Sequence, residues 1–500
     1  MTKPINFRPI LFCALSLIFG MALFVYHQRL GVWTVLIPTI LAITIYIIFL
    51  LIVEKDKRFT LLMSVVFCLL FAFMGMFSFG IYTKRIENRQ VESGNYTVVG
   101  EVYKVSFSHG RYVVNLKNCT YDGKDGGNLY VNTFYSEIEL YDRLELDCRV
   151  SPYSRVENGA ISTAVKSGRE MYAENVYSYK ILGKTNSLAS KFKQVTDKLF
   201  FDVLGKNGGI LSALIRGDTA KMGEIVDPFR LVGIAHIFAV SGMHVGLLFA
   251  ALSYIFKKIP AYRWLKTLLI CSALFFYSYL CGFTASSLRA SIMCSCMAIS
   301  RRLGEKHDGI NAIAEAFIII ALLSPIQIFS VGFILSFTVS FSLMVLSPPI
   351  IRFFEFLPKP FAESIGVLVS AQLSAIPLTV TYFGYFSLIS FLANFILLPV
   401  VTIIFYLTVI GMVLCLILPI NQLIALFIPK ILILGAQGLT NALTYVLLPI
   451  EYFPKALKWV YYPCLIAVTD LLNLPKWVKT VFFSIAMAIL VVVILVSNLA

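Results

Sequence analysis

The chain has 500 residues, 58% hydrophobic and only 14% charged, with a mean hydropathy of +0.82; this excludes a soluble globular enzyme and marks a polytopic membrane protein. Its net charge of +15 invites a nucleic-acid reading, because clustered Lys and Arg attract phosphate. Residues 84–190, however, hold 14 basic and 13 acidic side chains, so nearly all the excess lies in the apolar remainder, where positive-inside bias accounts for most of it.

Apolar runs of bilayer length, roughly 17 to 25 residues, open the chain near 9–26, 31–53 and 60–83. The first lacks a small-residue cleavage site and is followed at once by the second, so it reads as a retained span. Lys3 and Arg8 before it, with Lys55, Lys57 and Arg58 after the second, place the amino terminus in the cytoplasm. Three crossings by residues 1–83 then leave residues 84–190 outside the cell.

That outer segment changes character. Between 95 and 182, NYTVVGEVYKV, GRYVVNLKNC, NLYVNTFY, LELDCRV and EMYAENVYSYKIL are β-branched, aromatic and partly alternating, with turn-forming DGKDGG and SPYSRVENG between them. About five short strands so punctuated predict a small β-barrel of OB-fold type. Tyr103, Phe107, Tyr112, Tyr130 and Tyr135 are candidates for stacking bases, against ordinary strand packing as the alternative. Cys119 and Cys148 are the only cysteines here, and an oxidising compartment favours a disulfide between them; the other eight behave as small hydrophobes.

Residues 191–232 read as interfacial amphipathic helices, KFKQVTDKLFFDVL and GGILSALI, with Asp227 capping a helix that has Pro228 at its first position. Residues 233–500 carry further apolar runs near 235–256, 264–283, 286–300, 309–323, 326–346, 361–381, 387–419, 422–448 and 478–498, for about ten to twelve spans in all. Lys257, Lys258, Arg263 and Lys266, then Arg301, Arg302 and Lys306, mark cytosolic loops, while KALKWV at 455–460 opens either an in-plane helix or a crossing.

Lipid offers no hydrogen bonds, so polar side chains in these spans need a reason. Asp218 stands at the mouth of the 235–256 run and His236, Ser241 and His244 within it; Ser241 and His244 are three apart, and Gly242 and Gly246 make a small-x-x-x-small pair for close helix approach. The two histidines lack a third ligand at metal-binding spacing, and Ser241 lacks the glycine two positions before it that a nucleophile elbow requires. No metal and no cofactor is expected. Arg289 lies ~5 Å inside the outer face and Glu315 ~9 Å inside the inner face of a ~30 Å core, too far apart to pair. Pro377 and Pro399 free carbonyls that neighbours or water must satisfy, and Gln372, Ser374, Ser390 and Asn394 are polar candidates beside them, with helix-helix hydrogen bonding as the competing account.

These residues carry a resemblance. GIAHIFAVSGMHVGLL resembles the signature of the ComEC-type competence proteins, inner-membrane channels for transforming DNA. LIRGD (214–218), GFTASSLRASIM with Gly282, Ser287, Arg289 and Ala290, then Pro325, GFILSF (332–337), Pro377, Phe383, Gly384, Asn394 and Pro399 follow in that family's order. The chain departs from the pattern in having Ile334 where glutamine is common and Tyr141-Asp142 in place of a Gly-Asp turn. All five histidines, His27, His109, His236, His244 and His307, lie before residue 310, and no HxHxDH signature of a metallo-β-lactamase-like nuclease domain occurs. The resemblance implies uptake of single-stranded DNA into the cytosol without nuclease activity in this polypeptide. It implies lining or gating roles for Asp218, His236, Ser241, His244, Arg289, Glu315, Gln372 and Asn394. Expected partners are single-stranded DNA, membrane lipid, a surface DNA receptor, a separate nuclease, and a cytosolic helicase or single-strand-binding protein, since no GxxxxGK[ST] loop supplies a motor. Oligomeric state is left open. The rival readings are a solute or lipid-linked sugar transporter with a midplane site and an intramembrane hydrolase using Ser241.

Overall fold

The computed structural model describes residues 9–30, 55–108, 111–133, 137–153, 156–157, 160–161, 170–260, 262–305, 308–418, 421–447, 449–472 and 474–499. The predicted span at 31–53, together with His109, Tyr135, Lys306, His307 and the Phe107 side chain, lies outside the described residues. The chain divides into two compact units, one of Arg8–Asn186 with Ile310–Ser330, the other chiefly of Ser187–Gly309 and Val331–Ala500.

In the first unit, helices α1 (Pro9–Leu30) and α2 (Lys55–Arg89) cross where glycine removes the side chain. A Cβ on Gly20 would overlap the Ala72 carbonyl, and one on Gly75 the Leu17 carbonyl, so the two backbones touch. Leu17, Met21 and Phe79 bury themselves there with Ala321 from the helix starting at Gly309. Residues 310–330, expected among the later spans, therefore cluster with the first helices. At its far end α2 runs straight into the β domain, held by Arg89 Nη2 donating to the Gly126 carbonyl at 2.8 Å and Gln90 Nε2 to the Glu170 carbonyl at 3.2 Å.

The β domain is the predicted OB-like barrel. Strands β1 (Gly94–Ser108), β2 (Arg111–Tyr121), β4 (Leu129–Thr133), β5 (Asp142–Pro152) and β8 (Met171–Lys184) pair in the order β1-β5-β8-β4-β2, and β2 returns to β1 to close the ring. Only β4 and β8 run parallel. The two-residue pieces β3 (Lys124–Asp125), β6 (Val156–Glu157) and β7 (Ala160–Ile161) lie outside that ring. The long β1 makes closure possible, pairing with β5 along its first half and with β2 along its second. Its register shifts at Gly100, where a Cβ would come 2.9 Å from Cys119 Sγ, and the resulting bulge bends the strand. Alternate residues face inward, so that Val98, Val102, Leu116, Leu129, Leu144, Leu146 and Val150 fill the interior.

The expected Cys119–Cys148 bridge is absent, and both are free, buried thiols. The register explains why: Cys148 faces Tyr96 while Cys119 lies beside Gly100, four residues along β1 and on its other neighbour, roughly 13 Å along the strand. That exceeds the ~7 Å Cα separation a disulfide tolerates. Burial pushes both thiols up to about 12, so they stay protonated and unreactive.

The second unit is helical. Ser187 caps α3 (Leu188–Leu204), accepting from Ser190 N at 3.1 Å, and α4 (Gly208–Arg216) follows. The sequence reading placed GGILSALI along the interface, but every residue of α4 is buried. Its apolar side joins a core with Phe229, Val232, Phe238 and, from a helix almost 200 residues later, Ala393, Leu397 and Phe405. Helix α5 (Val226–Leu231) starts earlier than predicted, with Asp227 inside its first turn and paired to Arg230 at 3.1 Å.

The run at 235–256 is not one helix. Ala235–Ile237 forms a 3₁₀ turn, and α6 (Gly242–Lys258) begins only after Ser241. Helices α7 (Arg263–Leu280) and α8 (Ala285–Leu303) pack on it through Val245, Phe249, Leu274 and Ala290. After α9 (Gly309–Leu323) of the first unit, α10 (Val331–Val345) and α11 (Ser347–Phe353) meet at a 49° bend. Then come α12 (Lys359–Phe383), α13 (Ser390–Ile417), α14 (Gln422–Ala425), α15 (Phe427–Leu443), α16 (Lys455–Val468) and α17 (Lys476–Leu499). A small ladder joins β9 (Phe386–Ser387) to β10 (Pro449–Ile450). KALKWV thus opens a helix of 14 residues, about 21 Å long and short of a full crossing. Among the described residues α2, α12, α13 and α17 each contain a stretch long and apolar enough to cross a bilayer, and the bent pair α10–α11 makes a fifth. Shorter apolar pieces account for other predicted spans.

Candidate functional site

The loop between α3 and α6 is built on a buried ion network. Lys193 and Asp197, one helical turn apart, face α4 and pair at 2.8 Å. The Arg216 guanidinium reaches the same carboxylate and Thr196, and donates to the Lys193 carbonyl at 2.9 Å; Ser212 Oγ and Lys221 Nζ complete the shell at 2.9 and 3.1 Å. Burial alone raises the Asp197 carboxyl, but Arg216 and Lys193 more than offset it and hold it well below the ordinary carboxylate range. Asp218, predicted to line a passage, is instead drawn to this network, 3.8 Å from Arg216 with its side chain 7% exposed. Between them Gly217 ends α4 with φ 77, a turn that glycine makes without strain, and lies against Val240. The LIRGD segment therefore braces the approach to α6.

At α6 the Ser-His pair closes a capping box. Ser241 Oγ accepts from Met243 N–H at 3.3 Å, while His244 Nδ1 accepts from Ser241 N–H at 3.2 Å. With Nδ1 accepting, the neutral imidazole carries its proton on Nε2. That nitrogen is buried against the Phe405 ring, 5.1 Å between centroids, without a partner among the described residues. Ser241 Oγ does lie 3.3 Å from Nδ1, yet both atoms are engaged in the cap and no carboxylate among the described residues orients the ring. This geometry disfavours a Ser-His nucleophile. His236 lies on the 3₁₀ turn ahead of α6, and its side chain is exposed.

Arg289, on α8, is 6% exposed and enters the same place. Its Nε donates to Ser336 Oγ at 3.0 Å and its Nη1 to Ser340 Oγ, with Met293 Sδ at 3.6 Å and the Phe337 ring 5.8 Å away. Ser336 Oγ in turn donates to Ser286 Oγ at 3.1 Å. No carboxylate pairs with it among the described residues. A Cβ on Gly242 would fall 2.7 Å from Arg289 Nη2. Gly242 thus makes room for a guanidinium, whereas a Cβ on Gly246 would meet nothing within 4 Å; the predicted small-residue pair does not form a helix-helix contact at Gly246.

The proline inside α12 is satisfied from within the unit. Pro377 cannot donate to the Leu373 carbonyl, and the buried Tyr461 hydroxyl does so at 2.9 Å, while Tyr462 donates to the Ser374 carbonyl at 3.0 Å. Gln372 is buried on α12; Asn394 on α13 donates to the Ser390 carbonyl at 2.8 Å and leaves Oδ1 without a partner among the described residues. Glu315, on α9, is half-buried in the other unit. The structure gathers Ser241, Gly242, His244 and Arg289 into one site and places Asp218 in the network bracing it. Sequence reasoning missed Asp197, Arg216, Ser336 and Ser340. The Lys193–Asp197 spacing of four was the available signal for the network. On the barrel it also missed Tyr153 and Tyr172, which lie with Tyr130 at centroid distances of 6.5 and 4.7 Å along the run.

Comparison with known proteins agrees with this layout. The chain is 32% identical over 195 residues to ComE operon protein 3 of Bacillus subtilis (strain 168), a stretch covering 39% of this chain and 25% of that relative. No solved structure matches. The family model described as Competence protein matches residues 214–496, from the LIRGD segment through α17, and with more than half its length so matched this multi-pass membrane protein belongs to the competence protein family.

Proposed function

We propose that this protein is a conduit for single-stranded DNA across the bacterial inner membrane during natural competence. The observation that carries the reading is the meeting of half-buried Ser241 with buried His244 and Arg289 at the amino end of α6, inside the family-matched helical unit. Ionisable groups are retained at such depth where a polar solute passes. In this reading the amino terminus is cytoplasmic, the barrel receives the strand outside, and its Tyr130–Tyr153–Tyr172 run offers a stacking surface. Partners outside this chain supply capture, strand removal and driving force. The test is a gene deletion scored for labelled DNA entering the cytosol, with surface-bound DNA measured in parallel. Loss of internalisation with surface binding intact is expected, and complementation by Arg289→Ala or His244→Ala should fail although the protein inserts. Full uptake in the deletion strain would sink the proposal.

A further inference from the structure

Arg289 is a buried charge in the helical unit with no carboxylate partner among the described residues. It is 6% exposed, and its hydrogen-bonding neighbours, Ser336, Ser340 and Met293, are all neutral. Buried charges are ordinarily paired, so a guanidinium supported only by hydroxyls and a thioether is short of a counter-ion. Its position sharpens the point. Nη2 lies beside Gly242, the first residue of the 17-residue α6, at the positive end of that helix. Cations stabilise helix carboxyl ends and destabilise amino ends, so the placement runs against the dipole. The capping box occupies the Ser241 and Met243 N–H groups, and no acceptor for the Gly242 N–H occurs among the described residues. Nη2 therefore stands at the amino end of α6, where the guanidinium and the helix dipole both present positive charge.

We infer that this spot seats one phosphodiester of the strand, the guanidinium and the α6 amino end closing on its oxyanion as the DNA passes; this rests on the uptake reading. A side chain at position 242 would begin 2.7 Å from Nη2 and push the guanidinium from this spot. Ser336 and Ser340 hold Nε and Nη1, which leaves the N–H groups of Nη2 for phosphate. A phosphate seat in a passage reads charge and not base, which suits a conduit indifferent to sequence.

The experiment is hydrogen exchange read by mass spectrometry on the full chain in phosphatidylcholine nanodiscs, with an oligothymidylate of about 20 nucleotides as probe. Bound probe should slow exchange in the first turn of α6. In Arg289→Gln the half-saturating concentration for that peptide should rise about tenfold or more, with barrel peptides unchanged. Arg289→Lys should lose less, and Gly242→Ala should behave like Arg289→Gln. A methylphosphonate oligomer, which lacks the charge, should give no α6 protection. Protection of the barrel but never of α6 overturns the phosphate seat and leaves the uptake reading standing. Absence of protection anywhere overturns both. Equal α6 protection in Arg289→Gln, or protection by phosphatidylglycerol without oligonucleotide, overturns it too, the latter because the seat would then hold a lipid headgroup.

Discussion

Tyr141 holds φ 71 at the entrance to β5, a region of backbone space in which Cβ crowds the following carbonyl. The turn cannot relax, because Tyr141 N–H donates to the Val102 carbonyl at 2.9 Å and its own carbonyl accepts from Thr185 N–H at 2.9 Å. Glycine adopts this conformation freely, although it loses more entropy on folding. Tyr141→Gly should therefore stabilise the barrel by about 0.5 kcal/mol, the strain relieved slightly outweighing the entropy lost. Thermal unfolding of the full chain in detergent checks this, and a lower midpoint would show that the tyrosine ring contributes more than the backbone costs. The departure from a Gly-Asp turn was legible in the sequence, and its physical consequence needed the dihedral.

The α3–α4 pair shows how an element's burial depends on a partner. Asp197 gathers Arg216, Lys193, Lys221 and Ser212, and its carboxyl is held below the ordinary value of about 3.9. A depressed folded value means the network's stabilisation is fully present above about pH 4 and is lost as pH falls below that toward the folded value. Asp197→Asn should cost about 3 kcal/mol near neutrality by leaving buried cations without their carboxylate, and it should flatten the acid limb of the stability profile. Unfolding midpoints of wild type and variant, followed from about pH 7 to about pH 3, decide it: parallel profiles would mean that Asp197 is not the titrating group. This is also where sequence reading stopped. Periodicity found the barrel, whose strands alternate against their own interior, and it found the apolar helices. The sequence placed GGILSALI along the interface as an amphipathic helix, and Ser212 and Arg216 do give α4 a polar side. Those groups face Asp197, while the opposite face is covered by α13 residues such as Ala393 and Leu397, which no local pattern announces. The capping box was hidden likewise. Ser241 and His244 read as two residues on one helical face, when the helix begins between them.

For the molecule as a whole, the decisive distinction is between surface that meets lipid and surface that meets water, and side-chain exposure alone does not separate the two. His236 and His244 make the contrast testable. His236 is exposed on a 3₁₀ turn ahead of α6, and His244, in the first turn of α6, is fully buried against Phe405. If the turn opens onto an aqueous mouth, a cysteine at 236 should react readily with a membrane-impermeant maleimide added to intact cells. One at 244 should react about a hundredfold more slowly, because reaction there waits on local opening of the α6 cap. The two barrel cysteines are a weak background, being buried and protonated, and the half-buried ones elsewhere are replaced by serine before the test. Equal rates at the two positions would mean that the amino end of α6 is not closed. An unreactive Cys at 236 in protein that still inserts would place that turn against lipid, and the braced approach from LIRGD to the SGMH segment would then lead to a packed helix junction instead of a passage.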